Sequence, residues 1–197
     1  MPINTSGPLV LASASPRRQE LLRLVGLKFK IIPAHINEDY LPGETPQKHV
    51  RRLSGDKALA IARKHPMSWV IGADTIVVID GLILGKPKNK TRARQMLTRL
   101  SGREHKVFTG FTLVNALLGL RKTKVISSAV KFKTISPEER EWYVSSPEPY
   151  DKAGGYAVQG KGAYFIEKIR GSYTNVIGLP LCEVLTELKK LNALSFR

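Results

Sequence analysis

The residues with the most chemical promise in this 197-residue chain are charged groups standing where charge is costly. Ser13-Ala14-Ser15-Pro16-Arg17-Arg18 makes a tight turn of small hydroxyl residues and then starts a helix with two arginines in its first turn. A helix N-terminus presents free N–H groups and a partial positive charge. Arginines oppose that dipole, so propensity alone does not put them there. A phosphate at that spot removes the conflict and accepts their paired hydrogen bonds; two surface arginines on an exposed turn are the plainer reading. Asp74 stands inside the apolar run 70–78 and, by alternation, shares a face with Val70, Gly72, Ile76 and Val78. A buried, unpaired carboxylate costs several kcal/mol. Asp74 must therefore meet a cation, a metal, a proton-transfer partner or a structural hydrogen bond. Lys57 interrupts a helical stripe of Val50, Leu53, Ala60 and Ile61. It either snorkels to solvent or points into a cleft and holds an anion.

Three further segments carry polar groups with a possible ligand. Lys86 projects from Gly85-Lys86-Pro87, either as a loop lysine or as an anion contact. Glu38, in Ile36-Asn37-Glu38-Asp39, is an acidic spot in a basic chain, and acids beside a cationic site are what a divalent ion needs. Residues 151–162 are glycine-rich, which lets backbone approach a ligand closely, and Gln159 within them can pair with a base edge. The spacing is neither that of a Walker loop nor that of a dinucleotide fingerprint. His35, His49, His65 and His105 show no metal spacing. The single Cys182 excludes an intrachain disulfide and a cysteine cage.

Alternating strand and helix patterns must position these groups, which argues for an α/β fold. A short buried strand over 8–13 runs into a helix capped by Ser15, with Pro16 in its first turn and Gly26 as its stop. A second strand covers 29–32. After a loop to Glu44, Thr45 caps a helix that starts at Pro46 and ends near His65. Strand 69–79, the turn Asp80-Gly81 and strand 82–84 read as a hairpin. A helix over 91–100 and a strand pair over 107–114 and 123–132 follow. Ser136 with Glu139 forms a capping-box pattern. Residues 164–169 are strand-like, and a final helix runs from near Pro180 to about Leu191. No repeat or linker is visible, so 1–197 reads as one domain.

The bulk charge is unusual: 32 Lys and Arg against 16 acids, a formal +16. Such an excess attracts polyanions, whether nucleic acid or free nucleotide. Eight basic residues and one acid, Glu104, fall between Lys86 and Lys106. No segment approaches the ~20 apolar residues of a membrane span, and no secretory signal is visible. These features and the cysteine usage predict a soluble, cytoplasmic protein.

Taken together and in order, Ser13-Ala14-Ser15-Pro16-Arg17-Arg18, Glu38, Asp56-Lys57-Ala58, Gly72-Ala73-Asp74-Thr75, Gly85-Lys86-Pro87, Leu100-Ser101-Gly102, Thr109-Gly110, the run 153–160 and the closing run 171–180 resemble the Maf family. The likeness extends from about Leu9 to Leu191. It implies a long mixed twisted sheet flanked by helices, in two lobes with a central cleft, related to inosine triphosphate pyrophosphatases. It implies hydrolysis of a nucleoside triphosphate between its α and β phosphates with magnesium or manganese, often by a homodimer. In the family, the residue matching Asp74 is the proposed proton acceptor. Those matching Arg17, Arg18, Lys57 and Lys86 hold phosphates, with Ser13 beside them, and Glu38 is acidic and metal-linked. Base reasoning and resemblance alike leave Asp74 as either base or metal ligand. Arg17, Thr75 and Gln159 match the branch acting on UTP and dTTP; the branch acting on methylated GTP has Trp, Gln and Glu there. The chain departs from many relatives before Glu38, where His35 stands near a position that is often acidic. The rival reading is a nucleic-acid-binding regulator of septum formation using the basic surface. No helix-turn-helix or RNA-recognition motif supports that rival.

Overall fold

A computed structural model describes residues 3–196. The strands are β1 (Ile3–Thr5), β2 (Leu9–Leu11), β3 (Lys30–Ile31), β4 (Trp69–Ile79), β5 (Leu82–Leu84), β6 (Glu104–Asn115), β7 (Leu120–Phe132), β8 (Ile166–Arg170) and β9 (Leu194–Phe196). The α-helices are α1 (Pro16–Leu24), α2 (Pro46–Ala62), α3 (Lys90–Leu100), α4 (Pro137–Val144), α5 (Tyr173–Ile177) and α6 (Leu181–Lys190). The main sheet has seven strands in the order β3-β2-β4-β6-β7-β8, with β5 paired to β4, and β1 and β9 form a separate antiparallel pair. It is mixed: β2 lies parallel to both β3 and β4, whereas β5 and β8 pair antiparallel to β4 and β7. The α/β class is what the alternating pattern predicts, and the mixed sheet flanked by helices is what the resemblance implies. Among the described residues no helix is long and apolar enough to cross a membrane.

Two compact units divide the chain, each assembled from separated segments. The first takes the segment through Asp74, Thr109–Ile126 and the stretch from Gly178 onward. Its core joins Val10, Val70 and Val114 of the strands to Ala58, Ile61 and Ala62 of α2. The second takes Thr75–Phe108 and Ser127–Ile177. Its core is larger and more aromatic, with Leu97 and Leu100 of α3 packed among Phe132, Tyr143, Tyr156 and Phe165. Truncating a residue such as Leu97, fully buried there, costs about 2–5 kcal/mol.

Local chemistry explains most boundaries. Pro16 and Pro46 open α1 and α2, where a missing N–H costs nothing. The Thr45 hydroxyl accepts the Lys48 N–H, and Ser136 and Glu139 complete a reciprocal capping box on α4. Asn89 caps α3 by accepting the Arg92 N–H, so that helix starts one residue before the expected Thr91. Ser15 occupies the cap position of α1, but its side chain makes no capping bond. The expected strand over 164–169 is part 3-10 turn (Lys161–Phe165) and part β8. β1, β9 and α5 carry no pattern strong enough to announce them.

Candidate functional site

Helix α2 organises the acidic centre of the first unit. Two glycines let it press onto the strands beneath it. A Cβ on Gly72 of β4 would sit 2.3 Å from Ser54 O and 2.6 Å from Ala58 N, and one on Gly110 of β6 would sit 2.2 Å from Val50 O. Only a residue without a Cβ tolerates either approach. The close packing brings the Lys57 side chain onto the strand position two residues beyond Gly72. Lys57 Nζ donates to Asp74 Oδ1 at 2.8 Å and lies 3.0 Å from Glu38 Oε1. Lys57 and Asp74 are each 7% exposed. The lysine in the apolar stripe therefore does not snorkel to water; it neutralises the buried carboxylate that the strand imposes.

A second clamp holds the loop that carries Glu38. Glu44 accepts a paired hydrogen bond from Arg52 (2.8 and 2.9 Å), contacts His49 Nδ1 at 3.0 Å, and accepts the Leu41 N–H. Arg52 also donates to Asp39 O at 2.9 Å. The Arg52 guanidinium holds the Glu44 carboxyl down to about 2 against the opposing effect of burial. Sequence reasoning passed over this pair, because an acid five residues after the exposed loop acid Asp39 looks ordinary.

At the start of α1, Ser13 Oγ accepts the Ser15 N–H and the Arg18 Nη1 donor, at 3.3 and 3.0 Å. Arg18 also donates to Gly178 O and Ala73 O, each at 2.8 Å. This refines the expectation for Arg18. Its buried guanidinium ties three chain segments of the first unit together, one of them the residue before Asp74. Burial lowers its pKa, and the charges of Asp74 and Glu38 act in the opposite sense. Arg17 is half-buried beside it. The first unit thus gathers Ser13, Arg18, Lys57, Glu38 and Asp74 into one connected network.

The remaining candidates belong to the second unit, which begins at Thr75, the residue directly after Asp74 in β4. Lys86 is exposed, and its turn is linked to the glycine run: Gly154 N–H donates to Gly85 O at 3.0 Å. Gln159, also exposed, follows on that same run. Lys86 lines an open groove of about 1220 Å³ together with Lys88, Arg92, Arg94, Arg99 and Arg103. Arg94 is paired with Glu141 and Arg103 with Asp80.

Among the described residues no three His, Cys, Asp or Glu side chains gather as a metal cage. The Glu38–Asp74 pair still fits a divalent ion of the magnesium kind. Such ions bind through one or two carboxylates and take their other oxygens from water and substrate phosphate. Both carboxylates already face one cation, the Lys57 ammonium.

Residues 8–191 match the family described as Maf-like protein. The chain is 60% identical over 188 residues to a protein of Syntrophus aciditrophicus (strain SB) named dTTP/UTP pyrophosphatase, covering 95% of this chain and 92% of the relative. Proteins of the same name from Geobacter sp. (strain M21) and Clostridioides difficile (strain 630) are 49% and 48% identical, each match covering over nine-tenths of both chains. Among solved structures, a HAM1 protein from Coxiella burnetii shares the fold at 16% identity, with a TM-score of 0.51 over 93% of this chain and 98% of that one. With the motifs in order, the acidic centre built on α2 and β4, and a match over nearly its whole length, this chain belongs to the Maf family.

Proposed function

We propose that this chain is a nucleoside triphosphate pyrophosphatase that hydrolyses dTTP and UTP to the monophosphate and pyrophosphate. The observation that carries the reading is the buried Lys57–Asp74 pair with Glu38 beside it, in the same network as the arginine-bearing start of α1. The names of its relatives support the substrate class. In this reaction the oxygen of a water attacks the α phosphorus, the bond to the bridging oxygen breaks, and pyrophosphate leaves with the electron pair. Charge moves onto the leaving group, so fixed cations lower the barrier most. Arg17, Lys57 and Lys86 are assigned that role, and Arg18 adds its charge while holding Ala73 and Ser13 in place. Asp74 acts on the attacking water, as proton acceptor or through a divalent ion. Glu38 and Asp74 would hold magnesium or manganese, which when bound neutralises phosphate charge. Arg17, Thr75 and Gln159 are assigned to substrate selection.

The test is pyrophosphate release by the purified chain from a panel of nucleoside triphosphates with magnesium or manganese. UTP and dTTP should lead the panel. The rival role, nucleic-acid binding through the basic groove, is favoured by six cationic side chains around one acid, Asp80. It predicts no release from any nucleotide, and DNA retention that falls steeply with salt.

A further inference from the structure

The turn that presents Gln159 is held on one side by a phenol and on the other by a carboxylate, and we propose that Glu148, acting with Tyr143, is a positioning residue that sets pyrimidine selectivity by fixing that turn. The inference rests on the assignment of Gln159 to reading the base.

Glu148 opens the 3-10 turn Glu148–Asp151, and Tyr143 is the buried penultimate residue of α4. Glu148 Oε2 accepts the Lys161 N–H at 2.9 Å, and Oε1 accepts the Gly162 N–H and the Tyr143 hydroxyl, each at 2.9 Å. The Tyr143 oxygen in turn accepts the Ala157 N–H at 3.2 Å. Ala157 precedes the Val158-Gln159-Gly160 turn and Lys161 follows it, so one phenol and one carboxylate bracket three residues. Lys152 adds a donor to the Glu148 carbonyl at 2.8 Å. Gly160 within the turn has φ 127 and ψ −155, a region essentially reserved for glycine. A Cβ there would lie 2.6 Å from Glu148 Oε2, and one on Gly162 would lie 2.8 Å from the Tyr143 hydroxyl. Turn and clamp are therefore fitted to each other, and the unusual backbone persists because the clamp determines it.

The Tyr143 ring packs in the second unit's core, whereas its hydroxyl and the Glu148 carboxylate serve the turn. The Glu148 side chain spends its acceptors on loop amides at the edge of the core rather than on helix or strand. Burial alone would raise its carboxyl, yet the Gly162 and Lys161 amides, Tyr143 and Lys152 outweigh it and hold the group below its usual value. Burial and the neighbouring Glu148 charge push Tyr143 up, so it stays a phenol and keeps its donor. A side chain that discriminates bases by hydrogen bonding must be held to within a fraction of an ångström, because misplacement leaves polar groups unpaired. Gln159 itself is exposed and has no such support of its own. Its placement comes from the two residues that bracket it.

The experiment compares kcat and KM for UTP and for GTP, which carries the same triphosphate, in four forms of the full-length protein: wild type, Tyr143→Phe, Glu148→Gln and Gln159→Ala. Glutamine at 148 offers one acceptor oxygen and two donors, so at least one loop amide faces a donor. Both clamp variants should lose about 10- to 100-fold in kcat/KM for UTP, mainly through KM, while GTP changes by less than about 3-fold. The double variant Glu148→Gln/Gln159→Ala should be no less selective than Gln159→Ala alone, since both act through one side chain. Equal losses with both nucleotides, or selectivity losses that add in the double variant, would overturn the clamp. If Gln159→Ala abolishes selectivity while Tyr143→Phe and Glu148→Gln keep it, the clamp fails and base reading by Gln159 stands. If Gln159→Ala leaves selectivity intact, base reading fails and the clamp fails with it. Should Glu148→Gln not fold, Tyr143→Phe carries the same comparison with the smaller perturbation.

Discussion

The Lys57–Asp74 centre of the first unit and the Gln159 turn of the second hold their polar residues in opposite ways. In the first, side-chain charges hold one another: the Lys57 ammonium between Asp74 and Glu38, and the Arg52 guanidinium across Glu44. In the second unit, which has ion pairs such as Arg94–Glu141 elsewhere, the carboxylate at the Gln159 turn is spent on backbone. Glu148 accepts two amides and a phenol, and the residue it serves, Gln159, is neutral. The contrast follows from the work assigned to each. Stabilising charge that moves in a reaction needs fixed ions in a low-dielectric setting, and a buried ion requires a counter-ion. Discriminating one base from another needs a neutral donor and acceptor at a set position, and a rigid turn supplies that with no charge facing the ligand.

The largest effect expected from breaking the first arrangement comes from Asp74→Asn. The substitution keeps the size of the side chain and removes its charge. Turnover should fall by about 10²–10⁴-fold, the range of a general base, while the fold survives. Survival is expected because Glu38, 3.0 Å from Lys57 Nζ, still pairs the ammonium. The stability loss should therefore stay below the ~3–5 kcal/mol that follows when a buried ion loses its only partner. Full turnover in Asp74→Asn, measured as pyrophosphate release, would remove Asp74 from the chemistry. Gly72→Ala tests the same centre through packing. The new methyl group meets Ser54 O and Ala58 N, both backbone atoms that a side-chain rotation cannot move aside. A loss of about 3 kcal/mol or more is expected in urea denaturation, with Lys57 drawn off Asp74 and activity lowered in the folded fraction.

The same contrast decides what could be read from sequence. The first unit's centre was legible because its residues break local rules: a lysine in an apolar helical stripe, an aspartate in an apolar strand, two arginines where the helix dipole disfavours them. Each violation demands a partner, and Lys57 and Asp74 turned out to satisfy each other. Fold class was legible for a similar reason. Helix starts at Pro16, Pro46 and Ser136 and the hairpin at Asp80-Gly81 are set by local chemistry. Glu148 and Tyr143 break no rule. A glutamate after a proline and a tyrosine on a short helix are unremarkable, and their function arises only when residues 157–162 fold back over them. Likewise the 3-10 turn at Lys161–Phe165 imitates a strand in its apolar content, and the β1–β9 pair joins chain segments nearly 190 residues apart, which no local window senses. Arg18 was placed at the right spot by its neighbours, but its bonds to Gly178 O and Ala73 O depend on long-range geometry.

The smallest effects are expected from acid, and they should separate His105 from Glu44 by pH window. In the second unit His105 is buried against Phe132 and Tyr156, with Nε2 2.7 Å from the Tyr156 hydroxyl. Burial pushes its pKa down from 6.5 to about 4. Above pH 6.5 the ring is neutral in folded and unfolded chains alike, and its contribution is complete. Between 6.5 and about 4 the unfolded chain takes up a proton that the folded chain refuses, so stability is lost as pH falls through that window, by roughly 3 kcal/mol in all. In the first unit Glu44 is held down to about 2 from 4.5, chiefly by Arg52. Its contribution is complete above 4.5 and is lost only as pH falls from there toward 2. Urea midpoints measured from pH 7.5 to pH 3 should therefore fall in two stages. His105→Gln should start less stable at pH 7.5 and flatten the upper stage; Glu44→Gln should leave the upper stage alone and make the lower one shallower, with Glu139 and Glu148 carrying the rest. A His105→Gln protein whose midpoint still falls as steeply between pH 6.5 and 4 would mean that another group carries the upper stage, and the neutral, buried histidine would no longer contrast with the ion-paired Glu44.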